Sequence, residues 1–208
     1  MKGIIKNTLS LTVITVIMGI LLGAVHHVTA EPIVYQEQKK KEKAYQAVFP
    51  EASSFETVDL PGSGLQDEIE TALSGDDFSG EQVDEAARAI GEDGSELGYV
   101  LTVTTPEGYG GEIQLALGIS ADGTVQGISF LEISETAGLG MRADTDAFKS
   151  QFQGKQVEQF TVTKNGASKD QEIDALSGAT ITSNAVTGAV NAGLRAFTVL
   201  NGEGGTAE

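Results

Sequence analysis

Cysteine and tryptophan are absent from these 208 residues, and histidine occurs only twice, at the adjacent positions His26 and His27. Without cysteine there are no disulfides, no Cys-ligated iron–sulfur clusters and no thiolate zinc sites. Any redox chemistry must then rest on an organic cofactor. Basic residues are also scarce: thirteen Lys and Arg face thirty Asp and Glu, for a net charge of −17. Residues 1–43 hold six basic and three acidic side chains, which leaves −20 for the remainder. A domain so acidic repels nucleic acid and anionic lipid headgroups, so no nucleic-acid partner is expected. The same charge opposes long-range capture of an anionic cofactor, which a local site or a covalent bond would overcome.

Charge is missing altogether from Thr8 to Val25, eighteen residues rich in Ile, Val and Leu. As a helix this run is about 27 Å long, near the lower limit for spanning a bilayer. Val28-Thr29-Ala30 would serve as a signal-peptidase site, but the apolar run exceeds the usual signal length. The expectation is an uncleaved anchor over residues 1–30. Lys2 and Lys6 favour a cytoplasmic N-terminus, although Lys39, Lys40, Lys41 and Lys43 on the other flank weaken that rule. Because the N-terminal flank is short and signal-like, the bulk of the chain is expected outside the cell membrane, on a single-pass anchor. Residues 33–48 read as a stalk helix that stops near Pro50, with Glu37 and Lys41 as a supporting pair.

Behind the stalk, residues 60–96 shift to Gly, Ser, Asp and Glu, with short amphipathic pieces at Leu65–Leu73 and Glu81–Ile90. Asp76-Asp77 reads as a solvated acidic loop rather than a metal site. Three strand-like runs follow, Leu97–Thr104, Glu112–Ser120 and Thr124–Ile133. Pro106-Glu107-Gly108 and Ala121-Asp122-Gly123 separate them, and the Asp-Gly pair is a hairpin signal. A short helix over Arg142–Phe152, a strand at Val157–Thr163, a turn at Asn165-Gly166 and an extended Glu172–Asp174 complete the approach to the last helix.

Two stretches stand apart from this scaffold. Ser134-Glu135-Thr136-Ala137-Gly138-Leu139-Gly140-Met141 places two glycines around one leucine, a loop whose backbone can approach a flat ligand; a lone Gly-Leu-Gly is also an ordinary turn. Asp174-Ala175-Leu176-Ser177-Gly178-Ala179-Thr180 runs into a helix whose apolar residues fall at Ile181, Ala185, Val186, Ala189, Val190, Leu194 and Phe197. Ser177 and Thr180 thus sit near a helix N-terminus, where unpaired N–H groups and the macrodipole favour an anion such as phosphate. Gly178 and Ala179 leave the backbone accessible. Spacing alone leaves open whether this is a ligand site or a plain Ser/Thr cap.

Asp-x-x-Ser-Gly-Ala-Thr resembles the flavinylation motif of the FMN-binding domains in the G subunit of Rnf ion-translocating electron-transport complexes. It is also similar to that of the related C subunit of the sodium-translocating NADH:quinone reductase. Glu135-Thr136-Ala137-Gly138-Leu139-Gly140 is similar to that family's Glu-Thr-Pro-Gly-Leu-Gly segment, with Ala137 in place of Pro. The resemblance covers roughly residues 95–200, and with the anchor nearly the whole chain.

It implies an α+β fold: a single N-terminal transmembrane helix followed by one FMN-binding domain with an antiparallel sheet flanked by helices. The divisions would be an anchor at 1–30, a stalk and acidic variable segment at 31–95, the FMN-binding domain at 96–200 and a disordered tail at 201–208. By the same resemblance FMN is bound covalently, as a phosphoester of Thr180 made by a flavin transferase from FAD with Mg²⁺. Ser177 would bind phosphate or cap the helix, Gly178 and Ala179 would permit close approach, and Asp174 would be read by the transferase. Glu135, Thr136, Gly138, Leu139 and Gly140 would line the ring pocket.

The implied role is an electron-transfer subunit of an Rnf-type complex that couples ferredoxin:NAD⁺ electron transfer to Na⁺ or H⁺ translocation. Its partners are the other membrane subunits, and no catalytic or metal site of its own is expected. Two other classes fit the residues alone: a flavinylated extracytoplasmic reductase or regulatory domain outside such a complex, and a cofactor-free surface interaction domain.

Overall fold

The computed structural model describes residues 2–75, 78 and 80–203. They form two compact units, residues 1–40 and 41–208. Asp76, Asp77 and the last five residues of the tail lie outside the described residues, and so do the acidic loop and most of the tail expected there.

The first unit is most of helix α1 (Lys2–Val48). Among the described residues it is the one helix long and apolar enough to cross a membrane, by length and composition. Its large side chains find no core: Ile4, Leu11, Ile14, Ile17, Ile20 and Leu22 are all at least half exposed. The anchor and stalk expected as separate pieces are one helix running through Pro32. Proline removes one backbone N–H there, so the helix loses a hydrogen bond at that turn yet continues.

The second unit is built on a five-stranded antiparallel meander. Its strands are β1 (Ser54–Val58), β2 (Gln82–Ile90), β3 (Glu96–Thr105), β4 (Ile113–Ser120) and β5 (Val125–Glu132), in the spatial order β1-β2-β3-β4-β5. The three strands expected from the sequence are β3, β4 and β5, and the Asp122-Gly123 turn joins the last two. Between residues 31 and 95, where a stalk and variable segment were expected, the chain adds β1, the short helices α2 (Leu60–Ser63) and α3 (Leu65–Leu73), and β2 to this same unit. Glu81–Ile90 therefore supplies a strand, bulged between Val83 and Glu85 so that Ala86 and Leu101 share one face of the sheet.

Alternation along the strands divides the sheet into two faces. Leu101, Val103, Leu115, Leu117 and Ile119 point to the larger core, against the C-terminal helix α5 (Thr180–Glu203). Gly193 brings α5 close, since a Cβ there would lie 2.4 Å from Leu117 Cδ2. Val100, Ala116, Ala87 and Ala89 point the other way, under Ala44, Tyr45, Val48 and Phe49 at the end of α1.

After β5 the chain makes a 3-10 turn (Gly140–Asp144) and the one-turn helix α4 (Asp146–Lys149), where a single helix over Arg142–Phe152 was expected. Thr145 breaks it with an extended conformation, φ −93° and ψ 150°. The strand expected over Val157–Thr163 is only β6 (Thr161–Thr163), paired in parallel with β7 (Glu172–Asp174). Phe148, Phe152 and Phe160 stack edge to face between these pieces, with centroids 5.8 and 5.2 Å apart.

α5 begins at Thr180, as expected, and continues through Asn201–Glu203, where a disordered tail was expected. It is not one-sided. Thr182, Ser183, Thr187, Asn191, Ala192 and Ala196 are buried along with the apolar stripe, while Ile181 is exposed. The sheet covers one side, α3 another, and the Phe160 segment a third, held by a two-way hydrogen bond in which Asn191 accepts from Phe160 N at 2.8 Å and donates to its carbonyl at 3.0 Å.

Candidate functional site

The two stretches singled out in the sequence meet in space. Gly178 adopts a left-handed φ of +79° that favours glycine, and a Cβ on it would lie 3.2 Å from Leu139 Cδ2. Between them opens a cavity of about 540 Å³, lined by Tyr109, Glu135, Thr136, Leu139 and Gly140 on one side and by Gly178 through Thr182 on the other.

The motif loop is tied down from the helix it precedes. Ser183 Oγ accepts from Leu176 N at 2.9 Å and donates to the Ala179 carbonyl at 3.0 Å, while Ala179 N donates to the Leu176 carbonyl at 2.9 Å. A hydroxyl one turn inside the helix thus braces the loop, the local bonding that Ser and Thr perform at helix starts. Ser177, expected to bind phosphate or cap the helix, is exposed and stands outside the cavity lining. Thr180 is half-buried at the first position of a 24-residue helix with no acidic residue in its first turn. The end of α5 that faces the cavity is therefore the positive one.

Asp174 is engaged elsewhere. Its Oδ1 accepts from Ala167 N at 2.7 Å, and its own N–H donates to Gln151 Oε1 at 2.6 Å. It pins the turn around Gly166 and the segment after α4 to the start of the motif, outside the cavity. Gly138 is also outside, but its φ of +78° shapes the loop that carries Leu139. That loop closes without the proline of the resembling segment, because the Thr136 carbonyl accepts from both Leu139 N at 3.1 Å and Met141 N at 3.2 Å.

Glu135 is 9% exposed and joins two loops: its Oε1 accepts from Tyr109 N at 2.8 Å and Gly110 N at 3.3 Å. Close packing here demands glycine. A Cβ at Gly110 would fall 2.0 Å from the Ser134 carbonyl oxygen, and one at Gly140 would fall 2.5 Å from Glu135 Oε2 and 2.7 Å from Thr182 Oγ1.

Three lining residues escaped the sequence reading. Tyr109 is 70% exposed, Ile181 is 54% exposed, and Thr182 is buried. With Leu139, Tyr109 and Ile181 are the large exposed apolar side chains of the second unit among the described residues. The available signal was Gly108-Tyr109-Gly110-Gly111, an aromatic set among glycines in a loop. Ile181 was read as part of the packed stripe of the helix, which its position on the first turn prevents.

The lining suits a flavin mononucleotide. Small residues and a helix start surround Thr180, the apolar side chains of Leu139 and Ile181 suit a flat ring, and the volume is that of an ordinary small-molecule site.

Residues 108–195 match the FMN-binding domain family, and residues 1–48 match the RnfG N-terminal region. The chain is 34% identical over 200 residues to the G subunit of the Na⁺-translocating ferredoxin:NAD⁺ oxidoreductase complex of Acetobacterium woodii, covering 94% of this chain and 92% of that one. It is 30% identical to the proton-translocating counterpart of Clostridium ljungdahlii, with 97% and 95% covered. The G subunit of the ion-translocating oxidoreductase complex of Methanosarcina acetivorans is 31% identical, with 91% and 92% covered. Among solved structures, NqrC of Shewanella oneidensis shares the fold at a TM-score of 0.53 and 16% identity, covering 76% of this chain and 87% of that one.

Proposed function

Because the chain belongs to the G-subunit family of ion-translocating oxidoreductase complexes, we propose that it is a membrane-anchored electron carrier holding FMN as a phosphoester of Thr180. The observation that carries the proposal is the shared cavity in which Gly178-Ala179-Thr180 faces Thr136, Leu139 and Gly140. The relatives are named for Na⁺ in one case and for protons in another, and each of these two is named for ferredoxin:NAD⁺ oxidoreduction. The same reaction, coupled to one of these ions, is proposed for the complex that contains this chain.

In maturation, a flavin transferase would present FAD with Mg²⁺ to the folded loop. Thr180 Oγ1 forms the new bond to the phosphorus on the FMN side, the pyrophosphate bond breaks, AMP leaves, and the hydroxyl proton passes to a base of the transferase. Thr180 is half-buried and lines the cavity beside the small residues Gly178 and Ala179, which leave room for a transferase to approach. Once attached, FMN supplies one- and two-electron chemistry.

The chain's own residues do the holding. Thr180 and the first-turn amides of α5 secure the phosphate end, and the helix dipole offsets an otherwise acidic domain. Leu139, Tyr109 and Ile181 offer apolar contact to the ring while leaving an edge exposed, which suits exchange of electrons with neighbouring subunits. The apolar part of α1 anchors the chain in the cell membrane, with the N-terminus cytoplasmic and the flavin domain outside.

The test is intact mass and in-gel flavin fluorescence of the denatured protein from its native membrane, beside a Thr180→Val variant. The expected result is one FMN less one water on the native chain and none on the variant. A native chain without flavin would overturn the proposal, and flavin that survives on the variant would move the attachment to another residue.

A further inference from the structure

The cavity contains one buried carboxylate, and only half of it is satisfied. Glu135 Oε1 takes two backbone donors, whereas Oε2 is shut from solvent with no hydrogen-bond partner. Leaving a buried oxygen of a charged group unpaired is costly. It makes no ion pair: among the described residues the ion pairs are made by Lys41, Arg88, Lys149 and Lys169, and each involves another carboxylate.

A clamp between the Tyr109 loop and the Leu139 loop needs only Oε1. A glutamine would accept the same two amides, so bracing the loops does not account for a carboxyl group at this position.

We infer that the Glu135 carboxylate sets the reduction potential of the flavin in this cavity, holding it lower than a neutral side chain would. The inference rests on the FMN reading above and adds a role for one residue within it. Each electron taken up, from dithionite in a titration or from the preceding carrier in the complex, places negative charge on the ring unless a solvent proton accompanies it. A carboxylate lining the same cavity, with one oxygen shut from solvent and no ion-pair partner, raises the free energy of that reduced form. The sign follows: neutralising Glu135 makes reduction easier.

The experiment is a potentiometric titration of the flavin-loaded full chain, as wild type, Glu135→Gln and Glu132→Gln. Glu132 is an exposed carboxylate at the end of β5 and reports the effect of charge alone at the surface. Glu135→Gln is expected to raise the ratio of one-electron-reduced to oxidised flavin at least about tenfold at fixed potential, which is a shift of about 59 mV. Glu132→Gln is expected to change that ratio less than about twofold, because exposed charges are screened by solvent. Equal potentials in wild type and Glu135→Gln would overturn the inference while leaving the flavin reading intact. A wild-type chain that carries no flavin would overturn both. Should Glu135→Gln fail to fold, the reduced-minus-oxidised infrared difference spectrum of the wild type decides: a shifted buried carboxylate band supports the inference, and its absence overturns it.

Discussion

The two faces of the central sheet solve the same problem with opposite materials. One face presents Leu, Ile and Val to α5 and to the phenylalanines after β5, and its core is deep enough to bury Phe148, Phe152 and Phe160 almost completely. The other presents Ala87, Ala89, Ala116 and Gly118 to the last turns of α1, where a Cβ on Gly118 would stand 3.0 Å from Val48 Cβ. The thin face depends on close approach and on one polar handle, the buried 2.9 Å contact between the Tyr45 hydroxyl and Thr102 Oγ1. The deep face is where the cavity opens, at the end of α5 where its core gives way to exposed Leu139 and Ile181. A ligand site at the margin of a large core is held from beneath, whereas the thin face is covered by the last turns of α1.

If that division is right, the faces should respond unequally to loss of volume. Phe152→Ala removes a ring that is 0% exposed and stacked on two others. It is expected to cost about 3–5 kcal/mol, read from the urea midpoint. A loss below about 1 kcal/mol would mean that the aromatic cluster is dispensable and the deep face is not the seat of stability.

The thin face should reveal itself through pH. Burial pushes the Tyr45 hydroxyl up to about 12, against the lowering effect of its bond to Thr102. The folded value lies above the unfolded one of about 10. Stability is therefore fully present below pH 10 and is lost as pH rises toward 12, by roughly 2–3 kcal/mol over that window. Tyr45→Phe is expected to cost about 1 kcal/mol at pH 7, through the stranded Thr102 hydroxyl, and to flatten the alkaline decline. Equal alkaline slopes in the two proteins would show that Tyr45 titrates freely and that the thin face is open to water.

Much of this division was legible in the sequence, and the gaps have physical causes. β3, β4 and β5 announce themselves by alternation around turn residues, and the start of α5 by its small polar lead. β1 did not, because Ser54–Val58 is an edge strand with no fully buried residue, so burial left no pattern to read. β2 resembled an amphipathic piece because its bulge breaks the alternation. At the site, the Thr180 and Gly-Leu-Gly stretches were visible as motifs. Tyr109 was hidden because its role depends on a carboxylate 26 residues away that receives its backbone N–H. Asp174 and Ser177 were assigned by position in the motif, but only the folded chain shows that Asp174 bonds to Ala167 and that Ser183 braces the loop.

That brace gives the smallest effect and the sharpest separation of site from scaffold. Ser183→Ala removes a buried hydroxyl that serves Leu176 N and the Ala179 carbonyl, both in the motif loop, while the helix backbone bond from Ser183 N to Ala179 O at 3.0 Å stays. The orphaned Leu176 amide costs about 1 kcal/mol, the scale of a lost cap. The loss falls on the loop, because the packing of α5 on Leu117 and Val103 is untouched. Hydrogen exchange of the amides from Leu176 to Ala179 should therefore accelerate by about fivefold, the factor equivalent to 1 kcal/mol, while amides of β3 and β4 keep their wild-type protection. If β3 and β4 accelerate by the same factor, the loop opens only when the whole domain does, and the cavity rim is as much a part of the deep core as the strands beneath it.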